Sequence, residues 1–290
     1  MYFHARHVTR YRYSSPVFCE PLTIRLQPRT DFRQRLLRFS LDIDPTPRGL
    51  SCAIDGEGND VTTAWFGRQT DQLIITTTFE AQTQDVDPFH FLLDPAARRL
   101  PLVPSRDDEP FFSLFASSQY RAAEVEELAH ELARKAGFDT LKFVLALNEW
   151  IHSHHETIVR HEGAAWHPRK TLQEGRGACR DLAELFVEGC RAMNVPSRFV
   201  SGYGLRLDDS ADHELHAWAE VYLPGAGWRA FDPSLGLAIT QRHLTVAVGR
   251  TPEHAAPTSG KYRGNAESRL EAEIELITGP STSMMQTQSL

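Results

Sequence analysis

The sequence predicts an α+β fold in which a small antiparallel β-sandwich precedes a domain built from a cysteine-bearing helix packed on an antiparallel sheet. Three observations predict it. The first third alternates apolar and polar residues with the period of a strand, residues 122–154 carry helical periodicity, and the chain then runs through a loop and one further helix into several strands.

The strands of the first third can be read one by one. Leu22, Ile24 and Leu26 alternate with Thr23, Arg25 and Gln27, and Leu37, Phe39, Leu41 and Ile43 alternate with Arg38, Ser40, Asp42 and Asp44, so both stretches are half-buried strands. Asp55-Gly-Glu-Gly-Asn59 is a turn signal before Val61 to Phe66, and Leu73 to Phe79 is rich in the β-branched residues that strands favour. Arg10-Tyr-Arg-Tyr13 has the look of a nucleic-acid patch, but alternation along a strand accounts for it. Residues 1–85 are therefore expected to form the antiparallel β domain. Residues 86–120 contain Pro88, Pro95, Pro101, Pro104 and Pro110 with few apolar periods, which predicts a connector of loops and short turns.

A second domain is expected over residues 121–278, opening with helices at about Ala122–Ala136 and Thr140–His154. After Cys179 the residues Leu182, Leu185, Phe186 and Met193 recur at three- and four-residue steps, one face of a helix with Cys179 in its first turn. His216-Ala-Trp-Ala-Glu-Val-Tyr-Leu alternates as a strand, and Leu223-Pro-Gly-Ala-Gly-Trp is a turn after which Trp228 to Asp232 returns antiparallel. Such a hairpin brings His216 and Asp232 together at its open end. Glu271 to Ile277 alternates as an edge or returning strand, and residues 279–290 are expected to be a flexible tail.

Cys179, His216 and Asp232 thus stand at the edges of three different elements, and the chemistry of a thiol nucleophile asks for those three types. Only a thiolate attacks a carbonyl, an imidazole within hydrogen-bond reach takes the thiol proton, and a carboxylate on the far ring nitrogen fixes the tautomer. Free N–H groups and the positive dipole end at the start of the cysteine helix favour the thiolate and can receive an oxyanion.

Here the sequence resembles the transglutaminase-like superfamily of papain-like thiol enzymes, specifically its bacterial two-domain members. The motifs that carry the resemblance are Gly177-Ala-Cys179-Arg-Asp181, Ser201-Gly-Tyr203, His216-Ala-Trp-Ala-Glu-Val-Tyr222 and Trp228-Arg-Ala-Phe-Asp232-Pro233, all in family order. It extends to Val246-Ala-Val-Gly-Arg250 and to the amino-terminal segment. The resemblance implies a transglutaminase-like core after an N-terminal β domain, with Cys179 as nucleophile, His216 as general base and acid, and Asp232 as its orienter. It also implies a thioester acyl-enzyme resolved by water, in a cysteine protease or amidase acting on a peptide or protein, or by an amine, in a transglutaminase. A non-catalytic binding module on the same fold is the reading from another class.

Each of these residues has an ordinary structural explanation as well. A lone cysteine opening an apolar helix is commonly a core residue, an Asp before Pro a turn residue, and Trp218, Trp228 or Tyr203 core packing. Four motifs in order outweigh those explanations. Cys190 is expected to be inert, and Gln173, six residues before Cys179, reads as a solvated loop residue rather than an oxyanion donor. The run His152, His154, His155, His161 and His167 has neither a His-Glu-x-x-His helix nor a Cys-x-x-Cys companion, so no metal and no cofactor is expected.

Composition excludes other classes. The 290 residues carry a formal net charge of −7 with no basic block, which argues against a nucleic-acid partner. No apolar run approaches membrane-spanning length, and the first residues lack a signal-peptide core. Cys19, Cys52, Cys179 and Cys190 are scattered as reduced thiols would be, so a cytoplasmic location without membrane association is expected.

Overall fold

The computed structural model describes residues 1–160, 163–205 and 215–280. Strand β1 (Tyr2–Cys19) is flanked along most of its length by β6 (Thr70–Thr83) and β16 (Ser268–Gly279), with β3 (Gln34–Asp44) beyond β6 and the short β15 (Tyr262–Arg263) at its end. A second sheet runs in the order β14 (Thr258–Ser259), β2 (Leu22–Ile24), β5 (Asp60–Trp65) and β4 (Gly49–Ile54). Alternation puts Val17, Ile24, Leu26, Ile43, Leu73 and Ile75 on inward faces, where they form a buried cluster.

The expected second domain, 121–278, includes β16 by sequence position, yet in space β16 pairs antiparallel with β1 from Tyr2↔Gly279 to Tyr13↔Ser268. The chain therefore closes back on its own beginning. Alternation along one strand reveals that it is a strand but not which partner it joins. The expected tail, 279–290, falls for residues 281–290 outside the described residues.

The connector is more structured than its prolines suggest. It holds a 3₁₀ turn (Pro95–Arg98) and α1 (Glu109–Phe115), and it buries Leu100, Leu102 and Phe112 in the cluster that also takes in the helices that follow. Helix α2 (Ala123–Lys135) has Glu124 and Glu126 in its first turn and Arg134 and Lys135 in its last, an arrangement that suits the helix dipole. Helix α3 (Thr140–His154) is capped by Asp139, whose carboxylate accepts the Lys142 N–H at 2.9 Å, and buries Phe143, Val144, Leu147 and Ile151. A two-residue parallel ladder of β7 (Glu156–Thr157) with β8 (Arg176–Gly177) brackets α4 (Pro168–Glu174) and delivers the chain to α5 (Cys179–Ala192).

Helix α5 packs on a five-stranded sheet ordered β12 (Leu237–Ala238), β11 (Gly227–Asp232), β10 (Leu215–Leu223), β9 (Ser197–Gly204) and β13 (His243–Gly249). The face of β10 carrying Ala219, Val221 and Leu223 joins α5 in the main buried cluster. On its other face Glu220 is fully buried between Arg198 of β9 and Arg33 of the N-terminal domain. Burial opposes the Glu220 charge, but the charges of Arg198 and Arg33 and the hydrogen bonds from both overcome it and hold its pKa down at about 2.

Strand β13 lies at the edge of this sheet, and the N-terminal domain covers it. Gln34 Nε2 donates to Thr245 O and Thr245 N to Gln34 Oε1, each at 2.7 Å. Asn59 does the same to Val248, donating at 2.7 Å and accepting at 2.9 Å. Two buried amide side chains thus supply the pairing that a further strand would give. Phe3, Ala5, Phe79 and Ala81 of the first sheet share a third buried cluster with Tyr203, Leu244 and Val246. Among the described residues, no helix is long and apolar enough to cross a membrane.

Candidate active site

Cys179 is the first residue of α5, partly buried against Ala183, Phe199, Ala217, Ala247 and Ala255. The start of its helix is built by Asp181. One carboxylate oxygen accepts the Ala178 N–H at 2.8 Å, and the other accepts the Trp166 N–H at 2.7 Å and the Arg160 guanidinium at 2.6 Å. A single buried side chain therefore caps the helix and ties down the loop before it. Gly177 makes room for this, because a Cβ there would lie 2.9 Å from Asp181 Cβ. The aspartate two residues after the cysteine was legible as part of a motif; its capping role needed the tertiary structure.

His216 and Asp232 meet as the hairpin predicts. Pairing of β10 with β11 runs from Leu223↔Gly227 to Ala219↔Phe231, so Asp232 follows the last paired residue and reaches His216 diagonally. His216 Nε2 donates to Asp232 Oδ2 at 2.5 Å. The Cys179 thiol lies close enough to the His216 ring to influence its protonation, and Nδ1 is the ring nitrogen that Asp232 does not engage. Thiol, imidazole and carboxylate are neighbours in that order, the last two joined by a hydrogen bond.

Asp232 is buried, and its other oxygen is fully used. Oδ1 accepts the Ser234 N–H at 2.9 Å, the Ser234 hydroxyl at 2.6 Å and the Leu235 N–H at 3.3 Å. Burial disfavours the carboxylate charge, yet the His216 charge and the hydrogen bonds from His216 and His243 hold its pKa well below the ordinary carboxylate range. For His216 burial likewise disfavours the charged ring. The charge of Asp232 and its hydrogen bond, together with the nearby Cys179, outweigh that and raise its pKa well above the ordinary imidazole value.

His243 was not anticipated by the motif reading. It opens β13 and places Nε2 3.4 Å from Asp232 Oδ2. Its signal in the sequence is one imidazole at the head of an apolar run, and only the pairing of β13 with β9 brings it to the site. Donor atoms of His216, Asp232 and His243 lie within 4.8 Å of one another, which makes them the described residues able to hold a metal ion together, although hydrogen bonds already join them.

Other residues fall elsewhere. Tyr203 and Trp218 are fully buried and form core rather than a cleft wall. Gln173 is exposed on α4 and lines a depression with Tyr120 and His167. The histidine run separates into local roles. His152 Nδ1 bonds Ser234 O at 3.0 Å behind the Asp232 turn, His154 stacks on Trp150, His155 bonds Ile151 O at 3.1 Å, and His167 caps α4. His161 lies outside the described residues. Cys190 is fully buried, which pushes its thiol pKa well up.

The chain is similar to known proteins along most of its length. Residues 126–233 match the transglutaminase-like superfamily, and residues 3–82 match the bacterial transglutaminase-like N-terminal region. An uncharacterized protein of Mycobacterium leprae is 26% identical over 275 residues, covering 93% of this chain and 96% of its own length. An uncharacterized protein of Mycobacterium tuberculosis is 25% identical over 296 residues, covering 95% and 92%. Among solved structures, that of "a Putative Cysteine Protease from Cytophaga hutchinsonii" superposes with a TM-score of 0.72 at 25% identity, covering 97% of this chain and 92% of the other.

Proposed function

Because this chain belongs to the transglutaminase-like superfamily, we propose that it is a cysteine-dependent hydrolase of amide or peptide bonds that works through a thioester acyl-enzyme. The observation that carries this reading is the hydrogen bond from His216 to the buried Asp232, with Cys179 near enough to the same ring to influence its protonation. The cysteine protease description of the Cytophaga hutchinsonii structure supports it from outside the chain.

In this reading His216 takes the Cys179 proton. The thiolate attacks the carbonyl carbon of a bound peptide, and the oxyanion that develops lies toward the free N–H groups at the start of α5. As the C–N bond breaks, His216 Nδ1–H protonates the leaving amine and Sγ remains acylated. Neutral His216 then takes a proton from water, hydroxide adds to the thioester, and the acid leaves as the S–C bond breaks and the proton returns. Asp232 keeps the ring in one tautomer through both steps. A cytoplasmic location accompanies this reading, since all four cysteines are free thiols.

The test is incubation of the full chain with a denatured proteome and a biotinylated primary amine, followed by mass spectrometry. New peptide termini that vanish in Cys179→Ala are expected. Incorporation of the amine without new termini would make the protein a transglutaminase, and neither product would favour a binding scaffold.

A further inference from the structure

His243 lies against the Asp232 carboxylate and has no part in the steps above. Its Nε2 stands 3.4 Å from Oδ2, the oxygen to which His216 also donates. The ring is buried and set edge-on to Trp218, with centroids 5.3 Å apart. Nδ1 is buried and has no hydrogen-bond partner among the described residues. A protonated ring would leave that N–H in the interior without an acceptor, so the state that fits is neutral, with its proton on Nε2. Burial, and after it the charges of His216 on β10 and of the adjoining Arg242, lower its proton affinity; Asp232 on β11 works the other way and does not prevail.

The donors on Asp232 Oδ1 all come from its own turn, Ser234 and Leu235. Without His243, Oδ2 would be held by the ring whose protonation changes in each step. A second donor from another strand orients that oxygen in every protonation state of His216. Strand β13, which brings this donor, is held in register from outside by Gln34 and Asn59.

We propose that His243 is a positioning residue of the site: as a neutral donor it holds Asp232 Oδ2 in place for His216, and the N-terminal domain sets its position by clamping β13 through Gln34 and Asn59. This rests on the reading of His216 as base and Asp232 as orienter.

The experiment is ¹⁵N NMR titration of His216 in the full chain labelled at histidine, in the parent, in His243→Gln and in His243→Phe. Glutamine presents an amide N–H where Nε2 stood; phenylalanine keeps the ring and removes the donor. Loss of the donor leaves Oδ2 more negative toward His216, so its midpoint is expected to rise by about 0.5–1 unit in His243→Phe, the size of one hydrogen bond. The glutamine variant is expected to titrate as the parent. A midpoint unchanged in His243→Phe, or shifted equally in both variants, would overturn the proposal. If the phenylalanine variant does not fold, His243→Asn, whose amide is too short to reach Oδ2, replaces it with the same expectation. Gln34→Ala is expected to move the midpoint in the same direction by less, and no movement would remove the N-terminal domain from the proposal. The readout belongs to the His216 ring and needs no turnover, so its failure is distinct from failure of the hydrolase reading.

Discussion

His216 Nε2 donates to Asp232 Oδ2 at 2.5 Å, and the carboxylate that receives it is buried. An ionised carboxylate in the interior must be satisfied, and Asp232 takes its remaining donors from Ser234, Leu235 and His243. The carboxylate is thereby held ionised where its charge keeps the neighbouring ring protonated beside the thiol.

The raised His216 pKa means that its proton stays on the ring above the ordinary imidazole midpoint of about 6.5. If His216 takes the Cys179 proton as proposed, Cys179 is alkylated by iodoacetamide at pH 6 at least about tenfold faster than Cys52, because only a thiolate reacts. Cys52 is exposed and serves as the reference; Cys190 is buried and cannot. Mass spectrometry of the parent and His216→Ala checks this. Equal rates for the two cysteines at pH 6, with Cys179 still reacting at pH 9, would end the nucleophile reading.

Asp232→Asn keeps the shape and removes the charge. Turnover of a substrate identified by the proteome digest should fall roughly a thousandfold or more. The His216 midpoint should drop, because the Asp232 charge is the largest influence raising it. A midpoint that stays where it was would show that Asp232 does not govern the ring.

Gly204 lies against both imidazoles: an added Cβ would stand 2.9 Å from His216 Cδ2 and 3.4 Å from His243 Cδ2. Gly204→Ala is therefore expected to displace the base and cut turnover on the order of a hundredfold, as misplacement of about 1 Å does. Thermal melting should change far less than turnover. A variant with parental turnover would mean that the rings have room to give.

Asp181→Ala removes the helix cap and the carboxylate facing the Arg160 guanidinium together. The expected loss of stability is about 3 kcal/mol, the cost of breaking a buried pair from one side. Urea denaturation measures it, and a loss under about 1 kcal/mol would show that the loop rearranges to satisfy these groups.

Glu220 gives a pH dependence with a definite sign. Its folded pKa of about 2 lies below the unfolded value of about 4.3, so the stability it contributes is present above pH 4.3 and is lost as pH falls toward 2. Glu220→Gln should be less stable at neutral pH and should lose less further stability over that interval. Parallel curves for parent and variant would assign the acid sensitivity to other groups.

Much of the site was legible because its groups sit in short, strongly patterned stretches. A cysteine at the head of an apolar helix, a histidine at the head of an alternating strand and an aspartate at the end of its hairpin partner are each one local element away from their position. The same holds for α3, whose expected span, Thr140–His154, is the span observed. What patterning does not carry is which edges meet. His243, Gln34 and Asn59 are distant in sequence and unremarkable in their own strands, and β16 reads as a strand without revealing that β1 is its partner.

The sequence by itself determined the α+β class, the order of the elements and the three residue types that thiol chemistry requires, because periodicity and short-range spacing are properties of neighbouring residues. Tertiary structure alone decided how those groups are charged and held: Asp181 building the start of the cysteine helix, Glu220 set between arginines of two domains, and His243 brought to Asp232 on an edge strand covered by Gln34 and Asn59. The physical reason is that burial and charge pairing, which set protonation and orientation, depend on groups far apart in the chain and come into being only when the sheets close.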